Sequence, residues 1–233
     1  MVDGSAMEMM VASPAGAGPH PGIVVMCHRP GLDGFTAEIT DLLAADGFKA
    51  AAPDIYHRLP PEQDTSEKKF LVRDSEIIAD IAACAEFLKS DPDVDAARLA
   101  ILGHCMGGRM AFLGASALDD FRGVSVFYGG NLFKCLGDDG PTPFDRLADI
   151  HCPVAGFFGN EDNNPSPADV MRVDAELTRL GIAHEFHRYD GVGHGFHQLA
   201  AKGGDDATTR RCQAVVAEAW GRSGEFLRAC FAA

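Results

Sequence analysis

The sequence predicts an α/β fold in which a mostly parallel central sheet is flanked by helices. Short apolar runs with β-forming residues alternate with longer segments whose apolar residues recur at helical spacing, which is typical of a parallel sheet covered by helices. The only stretch of biased composition, residues 14–22, joins two short predicted strands rather than two large blocks. We therefore expect one domain over residues 1–233.

The predicted strands are short apolar runs bounded by turn-forming residues. They cover residues 8–12, 23–27, 49–52, 99–102, 124–128, 154–158 and 185–189. The segment between the first two runs is rich in proline and glycine. This composition predicts a hairpin loop that joins the first two strands.

The predicted helices are segments in which apolar residues return every three or four positions. Ile77, Ile81 and Leu88 belong to one such stripe, which should pack on the sheet. The other helices are expected over residues 35–45, 106–117, 167–180 and 208–227. Gly47 and Gly181 follow two of these helices as left-handed caps.

The composition excludes several classes of protein. The formal net charge of -14 disfavours non-specific binding to nucleic acid or anionic lipid, because both are negatively charged. No apolar stretch approaches the roughly 20 residues of a membrane-spanning helix, and the first residues lack the features of a secretory signal. The seven cysteines, an odd number without a C-x-x-C pair, favour reduced thiols. We expect a cytoplasmic protein that binds neither nucleic acid nor membranes.

The motif GHCMG at residues 103–107 follows one predicted strand and precedes a predicted helix. This is the order of a nucleophile elbow, with Cys105 in place of the more common serine. Gly103 and Gly107 leave room for neighbouring backbone as the turn forces the nucleophile outward. The helix N-terminus would lower the pKa of the Cys105 thiol. The alternative is a structural cysteine beside a glycine turn.

A carboxylate and a histidine follow the last two predicted strands, in the chain order nucleophile, acid, histidine of the α/β-hydrolase fold. Asp162 is the expected acid, with Glu161 and Asp169 as its rivals. His194, between two glycines, is the expected base. Because successive parallel strands end at one edge of the sheet, these residues should meet Cys105 there as a catalytic triad.

The histidines near the last strand offer a zinc site as an alternative. His184, His187, His194 and His197 have spacings that could ligate zinc. However, the first two fall on opposite faces of a strand, where side chains alternate, and no H-E-x-x-H motif occurs. We expect neither a metal nor another cofactor.

Together these motifs resemble the dienelactone hydrolase (carboxymethylenebutenolidase) family over most of the chain. The specific part is the cysteine elbow GHCMGG at residues 103–108, supported by GNED at 159–162 and GHGF at 193–196. Weaker matches are DGSAM at 3–7, GL at 31–32 and PDIY at 53–56. The resemblance implies the triad Cys105, Asp162 and His194, with backbone N–H groups of Met106 and Arg29 as oxyanion donors. It contains no feature that requires an oligomer, so we expect a monomer, with a homodimer as the alternative.

Two positions depart from the pattern of this family. Well-known members carry a glutamate that interacts with the cysteine, where this chain has His28. They also carry an arginine beyond the catalytic histidine that helps bind a substrate carboxylate, where this chain has His197 and Gln198. The arginines that could replace it are Arg29, Arg58 and Arg73. The candidates for lining the substrate pocket are His28, Arg29, Phe196 and His197.

The expected activity is hydrolysis of an ester or lactone through a thioester on Cys105. A thiolate is itself a good leaving group, so it returns from a tetrahedral intermediate unless the substrate's leaving group departs readily. This favours an enol lactone or an activated ester as substrate. Two alternatives remain open: an enzyme of the same fold that acts on another activated ester or thioester, and a non-catalytic redox-sensing protein that uses Cys105.

Overall fold

One seven-stranded sheet forms the centre of the computed structural model, which describes residues 4–60 and 62–232. The strands are β1 (Met9–Ala12), β2 (His20–Met26), β3 (Lys49–Pro53), β4 (Val94–His104), β5 (Phe121–Phe127), β6 (Val154–Gly159) and β7 (His184–Tyr189). Their order is β1-β3-β2-β4-β5-β6-β7, and every neighbouring pair is parallel except β1 and β3. The weak motif match at 3–7 begins at Asp3, which lies outside the described residues.

Helices cover both faces of this sheet. They are α1 (Gly34–Ala45), α2 (Thr65–Lys68), α3 (Asp74–Ser90), α4 (Met106–Ala117), α5 (Pro167–Leu180), α6 (Phe196–Ala201) and α7 (Ala207–Ala232), with a 3-10 turn at Leu147–Asp149. Helices α3, α4 and α5 contribute to the core on one face, and α1, α6 and α7 to the core on the other. The predicted α/β architecture is therefore confirmed. Within the described residues, no helix has the length and apolar character needed to cross a membrane.

The inner strands are apolar where both of their faces are buried, as in the second half of β2 and in β6. In β2, Val24 and Met26 pack on the side of α3 and α4, whereas Ile23 and Val25 pack on the side of α1. This alternation follows from the two-residue period of a strand. The sequence pattern of β2 is a continuous apolar run for the same reason.

The predicted hairpin between the first two strands is wrong. β1 pairs antiparallel with β3, with Met9 opposite Pro53 and Ala12 opposite Ala50. β2 lies on the other side of β3 and runs parallel to it. A loop rich in proline and glycine shows that the chain turns, but the pairing is decided by which apolar edge the strand covers. Here that edge belongs to β3, whose Ala50, Ala51 and Ala52 are fully buried.

A buried ion pair joins α3 to α4 beneath the carboxyl edge of the sheet. Arg109 binds both carboxylate oxygens of Asp74, at 2.7 and 2.8 Å, and both side chains are almost fully buried. The same guanidinium donates to the carbonyls of Asn131 and Lys134, at 3.2 and 2.6 Å. Arg109 thus holds the loop after β5 against two helices.

Replacing Arg109 by methionine should lower the free energy of unfolding by about 3–5 kcal/mol, because it leaves the buried Asp74 carboxylate without an opposite charge, although the N–H of Leu136 still donates to it. Urea denaturation followed by circular dichroism measures the loss. The double variant R109M/D74L should recover much of it, since the uncompensated charge is then removed. Arg222→Met, in an exposed pair with Glu218, is the matched control and should change stability little. A loss in R109M no larger than that of the control would contradict this assignment.

Candidate active site

Cys105 occupies a tight turn between β4 and α4. Its backbone has φ 57° and ψ -120°, a left-handed region that non-glycine residues rarely adopt. Its N–H donates to the carbonyl of Phe127 at 2.9 Å. A Cβ on Gly103 would lie 2.1 Å from the carbonyl oxygen of Gly107, and one on Gly107 would lie 2.1 Å from that of Met26. These two positions therefore require glycine while the turn keeps this shape.

The three predicted triad residues lie together at the carboxyl edge of the sheet. Nε2 of His194 is 2.9 Å from Sγ of Cys105, and its Nδ1 is 2.9 Å from Oδ2 of Asp162. Asp162 is only 4% exposed, and its other oxygen accepts the N–H of Asn164 at 2.8 Å. The imidazole therefore bridges a buried carboxylate and a thiol.

The two rival carboxylates lie elsewhere. Glu161 is exposed. Asp169 belongs to the capping box of α5, where its carboxylate accepts the N–H and the hydroxyl of Ser166 at 3.0 and 2.7 Å. Its side chain is thus engaged by the first turn of the helix.

Backbone hydrogen bonds join the loop after β6, which carries Asp162, to the loop after β7, which carries His194. The N–H of Asn160 donates to Tyr189 at 2.9 Å, and the N–H of Glu161 donates to Val192 at 3.0 Å. Gly159 permits this approach, because a Cβ there would lie 2.3 Å from the carbonyl oxygen of Val192. The carboxylate and the imidazole are consequently held as one unit.

The pKa values of Cys105 and His194 are shifted in opposite directions. Burial by itself raises the pKa of the Cys105 thiol, but the hydrogen bond and charge of His194 and two backbone N–H groups outweigh it, so the pKa is lower than usual. Burial lowers the pKa of His194, but the hydrogen bonds to Asp162 and Cys105 dominate and raise it to about 10. These opposite shifts favour a thiolate beside an imidazolium over a neutral thiol beside a neutral imidazole.

The two N–H groups that bind Sγ belong to Met106 and Arg29, the residues expected as oxyanion donors. Met106 is the first residue of α4. The Tyr56 hydroxyl donates to the carbonyl of Arg29 at 2.7 Å and so holds the backbone at this residue. The two N–H groups thus reach the sulfur from the first turn of α4 and from the loop after β2, and donors beside the nucleophile can also serve a substrate oxyanion.

Cys105 opens into a cleft of about 840 Å³. Five basic side chains line it, together with the acidic Asp33 and Glu38. Arg109 is paired with Asp74, but within the described part of the chain no ion pair joins a carboxylate to the other four basic residues: Arg29, Lys69, Lys134 and Lys202. Two other arginines proposed for substrate binding are engaged outside the cleft wall. Arg58 pairs with the buried Asp80, and Arg73 pairs with Asp138. The cleft is therefore a basic site in an acidic protein.

The proposed pocket-lining residues divide into two groups. His28 and Arg29 lie in the cleft wall. Phe196 and His197, by contrast, do not line the cleft as predicted. Helix α6 directs both into the core, where they are 1% and 3% exposed. Phe196 packs on Tyr128 with ring centroids 4.9 Å apart. Because the apolar face of this short helix packs on the core, both rings point away from the cleft.

Sequence reasoning missed the three cleft lysines and assigned no contact to Gln198. Lys134 could have been found, because it lies in the loop after β5, at the same edge as the triad. Lys69 and Lys202 come from segments that no strand-end pattern identifies. Gln198 lines the cleft and contacts His28, a pairing across 170 positions that local sequence does not reveal.

The histidines considered for zinc have separate partners. Nε2 of His184 lies 3.2 Å from Asp174, and the ring of His187 stacks on Phe157 with centroids 5.3 Å apart. Within residues 4–60 and 62–232 no group of three or more potential ligands is arranged to hold a metal ion.

Comparison with known proteins matches residues 7–231 to the model of the dienelactone hydrolase family. A "Putative carboxymethylenebutenolidase" of Synechocystis sp. is 29% identical over 196 residues, which cover 80% of this chain and 79% of that protein. A "Probable 2-oxo-3-(5-oxofuran-2-ylidene)propanoate lactonase" of Bradyrhizobium sp. is 29% identical over 206 residues, covering 84% and 81%.

Solved structures show the same fold. The crystal structure of a "Putative Dienelactone Hydrolase" from Klebsiella pneumoniae superposes with a TM-score of 0.81, covering 95% of this chain and 92% of that one. The sequence identity is 24%. At this level the likeness supports the architecture of the sheet and helices.

The rate at which iodoacetamide alkylates Cys105 should rise with a pH midpoint below 9.0, the ordinary value of a cysteine thiol. The thiolate is the reactive form, and His194 stabilises it. In His194→Ala the midpoint should rise above that of the parent, because burial remains and the stabilising charge is lost. Peptide mass spectrometry separates Cys105 from the other thiols. An identical midpoint in both proteins would favour the redox-sensing alternative.

Proposed function

The chain belongs to the dienelactone hydrolase family, and on that premise we propose that it hydrolyses an ester or lactone with Cys105, Asp162 and His194 as its catalytic triad. The observation that carries this proposal is the continuous hydrogen-bonded series from Sγ to Nε2 and from Nδ1 to the buried carboxylate, each at 2.9 Å. A structural cysteine has no need of such a series.

In the first half of the reaction the Cys105 thiolate attacks the carbonyl carbon of the substrate. The carbonyl oxygen becomes an oxyanion that accepts the N–H groups of Met106 and Arg29. When the tetrahedral intermediate collapses, the bond to the leaving oxygen breaks and the His194 imidazolium gives that oxygen its proton. The product is an acyl thioester on Cys105 and a neutral imidazole.

In the second half water hydrolyses the thioester. Neutral His194 accepts a proton from the attacking water, while Asp162 orients the ring and stabilises the imidazolium that forms. The second tetrahedral intermediate expels the Cys105 thiolate, and the acid product leaves. The starting thiolate and imidazolium are then restored.

The leaving group limits the substrates that this mechanism can use. From the first intermediate either the thiolate or the substrate oxygen can depart, and a stabilised thiolate departs easily. An enol or another activated alcohol competes well, whereas an amide nitrogen does not. We therefore propose an enol lactone or an activated ester, with another activated ester or thioester as the alternative within the same fold.

The cleft favours a substrate with a negatively charged group. Arg29, Lys69, Lys134 and Lys202 bring positive charge to it without carboxylate partners, while the chain as a whole has a net charge of -14. A second, largely apolar pocket of about 200 Å³ adjoins the cleft, and Lys134 lines both. An anion bound near this lysine would leave the apolar part of the substrate beside the second pocket.

Cys105→Ala should lower kcat/KM for p-nitrophenyl acetate by at least about 1000-fold, because the nucleophile is removed. Cys105→Ser should remain far below the parent, since the hydroxyl is much less acidic than the thiol. In the parent protein, rapid quenching and peptide mass spectrometry should find the acetyl group on Cys105. Cys230→Ala, a half-buried cysteine outside the site, is the matched control. Parent-like hydrolysis by the Cys105→Ala variant would refute the proposed nucleophile.

Lys134→Glu should reduce kcat/KM roughly tenfold more for a p-nitrophenyl ester with a terminal carboxylate than for p-nitrophenyl butyrate. The difference should shrink as salt is added, because screening weakens the charge interaction. Arg179→Glu makes the same change of net charge at the C-terminal end of α5 and should affect both esters equally. Equal losses in Lys134→Glu would rule out an anion subsite at this lysine.

A further inference from the structure

Helix α6 follows the loop of His194 and carries two consecutive polar residues that reach other loops of the site. His197 Nδ1 lies 3.0 Å from Nε2 of His104, the residue immediately before Cys105. Gln198 Nε2 lies 2.5 Å from Nδ1 of His28, the residue immediately before Arg29. One short helix thus touches the neighbours of the nucleophile and of an oxyanion donor.

The first contact is a hydrogen bond between two buried, uncharged rings. Burial lowers the pKa of His104 well below its usual value and lowers the pKa of His197 to about 4. Neutral imidazoles suit such a contact, because one ring donates its N–H and the other accepts it. His104 also stacks on Phe127 at 4.4 Å, and His197 packs edge-on against Trp220 at 5.6 Å. Neither ring has freedom to leave the pair.

The second contact belongs to a series of three residues. Nε2 of His28 lies 2.8 Å from Asp33, whose carboxylate also caps α1 through the N–H of Thr36 at 3.0 Å. Donation of the Gln198 amide to Nδ1 requires the His28 proton to be on Nε2, the atom that faces this carboxylate. His28 is therefore held from both sides.

Phe35 fills the space between the two contacts. Its ring centroid lies 5.1 Å from that of His28, 5.3 Å from that of His104 and 5.4 Å from that of His197. The latter two arrangements are edge-on, which suits aromatic rings. Both hydrogen bonds are thus shielded from solvent on this side, and such shielding strengthens them.

These side chains supply a connection that the backbone lacks. Backbone hydrogen bonds tie the His194 loop to the loop of Asp162. Among the described residues, no backbone hydrogen bond ties residues 190–201 to the elbow at 103–108 or to the loop at 27–33. The base and its acid are one unit, and the nucleophile and the oxyanion donor belong to two others.

We propose that His197 and Gln198 are positioning residues through which α6 fixes the distances among the base, the nucleophile and the Arg29 N–H. The His197–His104 contact sets the elbow against His194, and the Gln198–His28 contact sets Arg29 against both. Gly195 is required for this arrangement, because a Cβ there would lie 2.7 Å from Oε1 of Gln198. This proposal rests on the proposed triad for its catalytic consequence.

Four variants test the proposal. His104→Phe keeps a ring on Phe127 but removes the hydrogen bond to His197, whereas His104→Gln can place an amide nitrogen near the lost Nε2 and keep it. Gln198→Met keeps the length of the side chain without its amide. The combination H104F/Q198M removes both contacts. His151→Phe and Gln213→Met make matched changes at exposed positions outside the site.

In His104→Phe and Gln198→Met, kcat for p-nitrophenyl acetate should fall about 10- to 100-fold with little change in KM, since the groups remain but their distances relax. The midpoint of Cys105 alkylation should move up from the parent value in both variants. His104→Gln should restore both quantities, and the two controls should match the parent. Circular dichroism and thermal melting establish that each variant is folded.

A folded H104F/Q198M with the parent's kcat and alkylation midpoint would overturn the proposal, and so would failure of His104→Gln to improve on His104→Phe. If His104→Phe does not fold, kcat and the alkylation midpoint of Gln198→Met test the proposal instead. This variant should fold, because the Gln198 side chain is only half-buried. Absence of esterase activity in the parent would count against the proposed function instead. The alkylation midpoints would then still decide the role of α6.

Discussion

The backbone of Cys105 is the constraint on which the site depends. Its left-handed conformation costs on the order of 1–3 kcal/mol and survives only because the surroundings permit no other path. Gly103 and Gly107 remove the clashes, and the bond from the Cys105 N–H to Phe127 holds the turn against β5. Because the turn projects Sγ above the sheet edge, the loops of Asp162 and His194 can meet it there.

Environment rather than residue type lowers the pKa of the Cys105 thiol. Cys27 and Cys84 are also buried, and burial raises the pKa of Cys27 to about 12 and that of Cys84 even further, with no cation among the causes that act on either thiol within the described residues. Cys105 meets the same penalty, and the imidazolium of His194 reverses it. The buried carboxylate of Asp162 in turn sustains that imidazolium. Among the seven cysteines, all of which lie within the described residues, Cys105 is the one whose pKa is lowered.

Much of the fold could be predicted because its signals are local. The bounds predicted for α4 and α5 agree with the structure, in which each helix has a well-defined start: the elbow turn at Cys105 in one case and a capping box followed by Pro167 in the other. Strand β1 was placed correctly in the chain but paired with the wrong partner. Helix α6, with six residues, is too short for apolar periodicity to reveal. Phe196 and His197 were misassigned to the pocket for this reason.

The sequence alone determined which residues are proposed for the chemistry: a cysteine between spaced glycines, followed in order by a carboxylate and a histidine at successive strand ends. Order and spacing carry this information because parallel strands bring their carboxyl ends to a single edge. Only the tertiary structure decided which distant side chains meet, as with Gln198 and His28, and which lysines face the cleft. Such contacts depend on how the helices pack on the sheet. This packing brings together residues whose positions in the sequence follow no repeating pattern.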